Sequence, residues 1–331
     1  MNERVTAVSG MRISGNIHAG NYFGAMTQFL QLQAEGARCF FFVADLHAYT
    51  KARRPIDVYR MATEVARLYI ACGVDPTLCT LYRQSDVPEI SQISVLLATV
   101  INLGRLSRCV TFKEELRKAE MNEGEASLAL VSYPVLMSAD IVSVRANRVP
   151  VGRDQAQHIE ITRSIAAAFN RIYIDEVLVV PEMHMHDSIT VPGLNGSEKM
   201  GKSDGNTLGL LDDERSIRKK IGCIPTQTNA STEMTSGTQA LFTLVDLCCP
   251  QEVAYRYRAR FADGESGFFG EMKQRLGDDV VELLKPIQRR YAELSDDSVA
   301  QILADGAGRV RSIAGEVLVR MQIAMGIRPN V

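Results

Sequence analysis

Two short runs of this chain, far apart in sequence, carry residue types that handle phosphate. The first is His18-Ala19-Gly20-Asn21, inside ISGNIHAGNYFGAM; the second is Lys199-Met200-Gly201-Lys202-Ser203, inside GSEKMGKSDGNT. An imidazole and an amide can each donate to a phosphate oxygen. Gly15, Gly20 and Gly24 leave room for a phosphate or an adenine against the backbone. A helix opening just after His18 would aim its first N–H groups at an anion. In the second run, Lys199 and Lys202 sit among Gly193, Gly196, Gly201 and Gly205. Ammonium groups on such a loop can follow a pyrophosphate whose charge grows in the transition state. Each run alone also has a plain reading: a glycine-punctuated turn near a helix start, and an exposed charged loop. Together, and in this order, they point to an enzyme that binds ATP and attacks it at the α-phosphate.

The surrounding pattern is one that could position such groups. Val5–Gly10 is an apolar run ending in glycine, and CFFFVA at Cys39–Ala44 has the composition of a fully buried strand. Residues 22–35 and Asp57–Gly73 carry apolar positions at helical spacing. Cys79–Arg83, Val149–Val151 and Val177–Val180 read as further strands, and Asp154–Ala168 as a helix. Residues 89–146 read as mostly helical, interrupted at Gly104, Gly124 and Pro134. Strands alternating with helices predict a Rossmann-type, doubly wound parallel sheet covered on both faces. The first strand should deliver its ligand-binding segment to the carboxyl edge of that sheet. From Asp212 onward the pattern is helix after helix. The expected division is a catalytic domain at 1–207, with a helical insertion near 105–148, and a helical C-terminal domain at 208–331.

The chain has 331 residues, enough for a large core, and a net charge of −2 argues against coating nucleic acid by charge alone. Seven scattered cysteines form no CxxC pair, so reduced thiols in a cytoplasm are expected rather than a zinc site. His184 and His186 alternate with Met183 and Met185 and read as an exposed strand or loop rather than a metal site. No signal-peptide core and no membrane-length apolar run are seen, so no membrane partner is expected.

With both runs placed, the chain resembles the class I aminoacyl-tRNA synthetases, HAGN matching the HIGH-type motif and KMGKS the KMSKS-type loop. It is similar in particular to the tryptophanyl-tRNA synthetases, through FFVADLHAYT, GVDPTLCTLYRQSDVPE, YPVLMSADI and VPVGRDQAQHIEITR. The resemblance implies ATP and Mg²⁺ as cofactors, L-tryptophan and tRNA(Trp) as substrates, and a homodimer. It implies that His18, Asn21, Lys199, Lys202 and Lys113 serve the chemistry. It assigns the nucleotide to Arg12, Ser14, Gly20, Asn21, Gly152, Asp154, Lys199, Met200, Lys202 and Ser203. It assigns the amino acid to Val8, His47, Tyr133, Met137, Asp140, Ile141, Val149, Val151 and Gln155. Asp140 would accept the indole N–H, while Tyr133 and Gln155 would hold the ammonium. The competing reading makes Asp140 a helix-interior carboxylate paired within the fold, and Val149 and Val151 plain core.

Three positions depart from the family pattern: Gly201 replaces the usual serine, Arg153 reverses a common acidic charge, and Glu115 replaces a common lysine. They leave open a synthetase-like protein that does not charge tRNA. Tyrosyl-tRNA synthetase shares both runs and is the other open reading, opposed by Asp140 after Met137. A shorter small-molecule adenylyltransferase would lack the helical second half.

Overall fold

The structure is a computed structural model and describes residues 5–13, 17–50, 57–152, 155–173, 176–185, 189–201, 205–227 and 233–329. The aromatic and β-branched run Arg38–Ala44 forms strand β2, buried at every residue after Arg38. Cys39, Phe41 and Val43 join one hydrophobic cluster, and Phe40, Phe42 and Ala44 join another. The two-residue period therefore feeds apolar layers on both faces of one sheet. Flanking β2 are β1 (Thr6–Arg12) and β3 (Thr80–Arg83), and beyond β1 lie β4 (Arg148–Val151) and β5 (Glu182–Met185). All pairings are parallel, and the order is β3-β2-β1-β4-β5. The chain runs outward from β1 to β3 and then returns to β4 on the other side. This opens a crevice at the carboxyl ends of β1 and β4, where open parallel sheets bind ligands.

The first connection runs through α1 (Ala19–Asn21), a π-helical turn (Tyr22–Met26) and α2 (Thr27–Ala34), so the helix expected from residue 22 opens directly after His18. Helix α3 (Val58–Ala71) starts where the Asp57 carboxylate accepts the Arg60 N–H at 3.1 Å. Between β3 and β4 come α4 (Pro88–Ala98), α5 (Leu103–Leu106), α6 (Val110–Lys118) and α7 (Leu128–Ser143). Pro134 was expected to interrupt the helical region but lies inside α7. Helix α8 (Ala156–Tyr173) leads from β4 to β5.

The last strand is also displaced from its expected place. Val177 and Leu178 are buried but lie outside the sheet, and pairing with β4 falls to Glu182–Met185. The Asn170 side chain explains the difference. Its amide donates to the Leu178 carbonyl at 2.8 Å and accepts the Leu178 N–H at 3.0 Å. Those backbone groups are thereby satisfied without a neighbouring strand. The edge strand β5 carries the polar alternation that its sequence shows; His186 lies outside the described residues.

Beyond residue 208 follow α9 (Glu214–Gly222), α10 (Ser236–Cys248), α11 (Gln251–Ala262), α12 (Phe269–Glu293) and α13 (Asp296–Ala324). Both hydrophobic clusters extend across this point. Val299 and Leu303 of α13 belong to one, and Ala307 to Met321 contribute to the other. Helix α13 therefore wraps around the β3 edge of the sheet, which covers its open edge. Gly306 makes the crossing: a Cβ there would stand 1.9 Å from the Leu81 carbonyl oxygen. Gly306→Ala should force the helix off the strand and destabilise the protein by about 3 kcal/mol, read by denaturant unfolding. An unchanged midpoint would contradict this packing.

Candidate active site

The two phosphate-handling runs meet through backbone. Ala19 N–H donates to the Leu208 carbonyl at 2.8 Å, and Leu210 N–H donates to the Ile17 carbonyl at 3.1 Å. His18 and Gly209 thus form an antiparallel bridge just after the lysine loop. A Cβ placed on Gly20 would lie 3.4 Å from Cβ of Met200. Glycine here lets the loop settle against the helix start. The His18 N–H donates to the Asn21 side-chain oxygen at 3.2 Å, fixing that amide over the first helical turn. His18, Gly20, Asn21, Lys199 and Met200 all line one cleft of about 460 Å³. Lys202 and Ser203 lie outside the described residues, as do Ser14 and Asp154.

Asn206, which sequence reasoning did not single out, organises the described part of the lysine loop. It is 3% exposed. Its side-chain oxygen accepts the Gly201 N–H at 2.8 Å, and its amide donates to Ser197 Oγ at 2.7 Å and Asn195 Oδ1 at 3.1 Å. Its own carbonyl accepts the Leu194 N–H at 2.9 Å. Loop shape thus rests on one buried amide. Asn206→Ala should lower the rate of the ATP-dependent amino-acid activation that the sequence resemblance implies about 10- to 100-fold, with amino-acid affinity little changed. An unchanged rate would show that the amide does not govern the loop.

Deeper in the cleft, α7 presents Asp140 at 1% exposure. Its carboxylate accepts from His47 Nε2 at 3.1 Å and from Gln84 Nε2 at 2.7 and 2.9 Å. Burial pushes the carboxyl above its ordinary range, while hydrogen bonds from His47 and Gln84 and the His47 charge pull it down. Asp140 is thus paired within the fold, and it also lines the cleft. A carboxylate offers about four lone-pair sites, so it retains capacity for a further donor. His47 is held by the single helical turn Leu46–Thr50, which is anchored by buried Asp45. The Asp45 carboxylate accepts the Leu46 N–H at 3.0 Å and the Ser85 N–H at 2.9 Å. Gln84, fully buried, was not anticipated; its only signal was a polar residue directly after a candidate strand.

Tyr133, Met137, Ile141, Val149, Val8, Gly152 and Gln155 line the same cleft. Val8, Ile141 and Val149 are also core residues, so cleft wall and core are here continuous. Tyr133 and Gln155 are joined by His158, a second residue not anticipated: Tyr133 Oη lies 2.5 Å from His158 Nε2, and Gln155 Oε1 lies 2.9 Å from His158 Nδ1. The side chains of Arg12 and Val151 are outside the described set. Lys113 stands exposed on α6 and does not line the cleft; Thr111 and Glu115, four residues apart on that helix, do. Lys118 Nζ lies 3.7 Å from Glu115 Oε1.

A donor-lined helix start, a lysine loop and a buried acceptor in one apolar cleft suit a nucleotide together with a flat ligand that carries an N–H. A family model described as tRNA synthetases class I (W and Y) matches residues 1–256. The tryptophan–tRNA ligase of Porphyromonas gingivalis is 37% identical over 98% of this chain and 99% of its own length. That of Rhodopirellula baltica is 38% identical over 97% of this chain and 99% of its own length. A crystal structure of tryptophanyl-tRNA synthetase from Campylobacter jejuni, complexed with ADP and tryptophan, superposes with a TM-score of 0.86. It shares 30% identity, covering 97% of this chain and all of that one. The likeness runs the length of both partners and includes the elements that build the cleft, so this chain belongs to the class I tRNA synthetases and, among them, to the tryptophan–tRNA ligases.

Proposed function

We propose that the protein activates L-tryptophan with ATP and transfers it to tRNA(Trp). The observation that carries this reading is the bridge between residues 17–19 and 208–210. It sets both phosphate-handling runs at the mouth of a cleft with Asp140 at its base. The indole N–H would donate to Asp140 between the walls formed by Val8, Met137, Ile141 and Val149. Tyr133 and Gln155 would hold the ammonium, leaving the carboxylate free to face the nucleotide. ATP would enter as its magnesium complex, with the ion carried on the phosphates. The side chains of His18 and Asn21, at the start of α1, would hold those phosphates.

The tryptophan carboxylate oxygen attacks the α-phosphorus in line. That new P–O bond forms as the bond from the α-phosphorus to the bridging oxygen breaks, and pyrophosphate leaves with the electron pair. Lys199 and Lys202 stabilise its growing charge; Lys113, exposed on α6, would have to reach in from outside the cleft lining. Little proton transfer is needed, so positioning and charge stabilisation do the work. The terminal ribose hydroxyl of the tRNA, the 2′-hydroxyl by family resemblance, then takes the aminoacyl group and releases AMP.

The helices after residue 208 would contact the tRNA away from the cleft. Arg218, Lys219 and Lys220 of α9 are candidates for phosphate contacts there, although Arg218 already pairs with Glu214 and Asp278, and Lys220 with Asp212. A homodimer is part of the proposal. Exposed Val95, Leu103, Val110 and Leu128, all on α4 to α7, supply apolar surface for it. Light scattering showing a single chain's mass would contradict that assembly. All seven cysteines are free thiols, which suits a cytoplasmic compartment. The reaction is tested by incubating the protein with ATP, labelled tryptophan and tRNA. Base-labile label on the tRNA is expected; label remaining on protein-bound adenylate would contradict the transfer step.

A further inference from the structure

We propose that His158 is a positioning residue that sets Tyr133 and Gln155 as acceptors for the substrate ammonium, an inference that rests on the cleft assignment above. His158 sits in the first turn of α8 and is 1% exposed, so it cannot itself be the main contact of a bound amino acid. It instead bridges two groups that line the cleft from different elements, Tyr133 on α7 and Gln155 in the turn before α8. With the Gln155 carbonyl oxygen facing Nδ1, that nitrogen carries the ring proton. Nε2 is then bare and accepts the Tyr133 O–H. The tyrosine proton is committed inward, which turns the phenol oxygen outward as an acceptor. The Gln155 oxygen is held by Nδ1–H, and a carbonyl oxygen can accept two donors at once. An ammonium has three donors and no acceptor, so both groups now present what it needs. With the opposite tautomer, Tyr133 would turn its O–H and Gln155 its NH₂ outward, and both would repel a cation.

The surroundings hold the ring in this role. Cys109 Sγ lies 3.6 Å from Nε2 and 3.8 Å from the Tyr133 hydroxyl. One turn further along α8, Thr162 Oγ1 donates to the His158 carbonyl at 2.9 Å and meets Ser138 Oγ of α7 at 2.9 Å. The two helices are thus pinned beside the histidine, and its ring packs edge-on to Tyr133 with centroids 5.2 Å apart.

The test compares L-tryptophan with indole-3-propionate, which keeps the ring and carboxylate but has no ammonium. Dissociation constants are measured by calorimetry for the wild type, His158→Leu and His158→Gln. His158→Leu should weaken tryptophan about 10- to 100-fold and change indole-3-propionate by less than about threefold. His158→Gln can place a carbonyl oxygen near the former Nε2, so it should recover part of the loss. It carries the same comparison should the leucine variant not fold. Equal weakening of both ligands, or tryptophan binding left at the wild-type value, would overturn the role of His158. A wild type that binds both ligands equally tightly would instead overturn the placement of the ammonium at Tyr133 and Gln155.

Discussion

Asp140→Ala is expected to lower kcat/KM for tryptophan activation by on the order of 10³-fold, mainly through KM. Two effects add. The indole N–H loses its acceptor, and the donors of His47 and Gln84 lose their shared partner in a buried place. The pH dependence gives an independent check. Burial raises the Asp140 pKa, so the folded protein favours the protonated carboxyl more than the unfolded chain does. That contribution to stability is complete below the ordinary carboxylate value of about 4 and is lost as pH rises through the folded value. A donor such as the indole N–H favours the anion and pulls the pKa back down. Tryptophan affinity should therefore fall as pH drops through the raised value, while Asp140→Asn should bind weakly with a flat profile. A wild-type profile as flat as that of the variant would remove Asp140 from the indole contact.

Lys202→Ala should slow adenylate formation by about 10²- to 10³-fold while shifting the tryptophan dissociation constant by less than about twofold. The lysine charge matters when pyrophosphate separates, not when tryptophan settles in the cleft. Lys199→Ala should act in the same direction, since Lys199 lines the cleft beside Met200. Single-turnover kinetics separates the two quantities. A variant with a normal chemical step and weakened tryptophan binding would contradict the division of labour between loop and cleft.

The parts of this architecture that were legible in sequence are those where one residue type satisfies one local demand. CFFFVA had the composition of a fully buried strand, and apolar spacing over Asp57–Gly73 marked α3. The lysine loop and the glycine-rich helix start stood out by residue type, and the structure sets their described parts on one cleft. What was not legible depended on partners distant in sequence. The run at 177–180 reads as a strand, but the Asn170 side chain supplies its hydrogen bonds, and the true edge strand shows only a weak polar alternation. Gln84, His158 and Asn206 touch residues that the sequence did bring forward, yet a lone amide or imidazole carries no sign of its partner. The wrap of α13 around β3 was hidden for the same reason, since Gly306 is one of many glycines until Leu81 stands beside it.

Amino-acid-dependent exchange of labelled pyrophosphate into ATP tests the central claim most directly, because it needs both phosphate-handling runs and the cleft but no tRNA. Run across several amino acids, it should proceed with tryptophan and stay at background with tyrosine. Exchange supported by tyrosine and not by tryptophan would contradict the account.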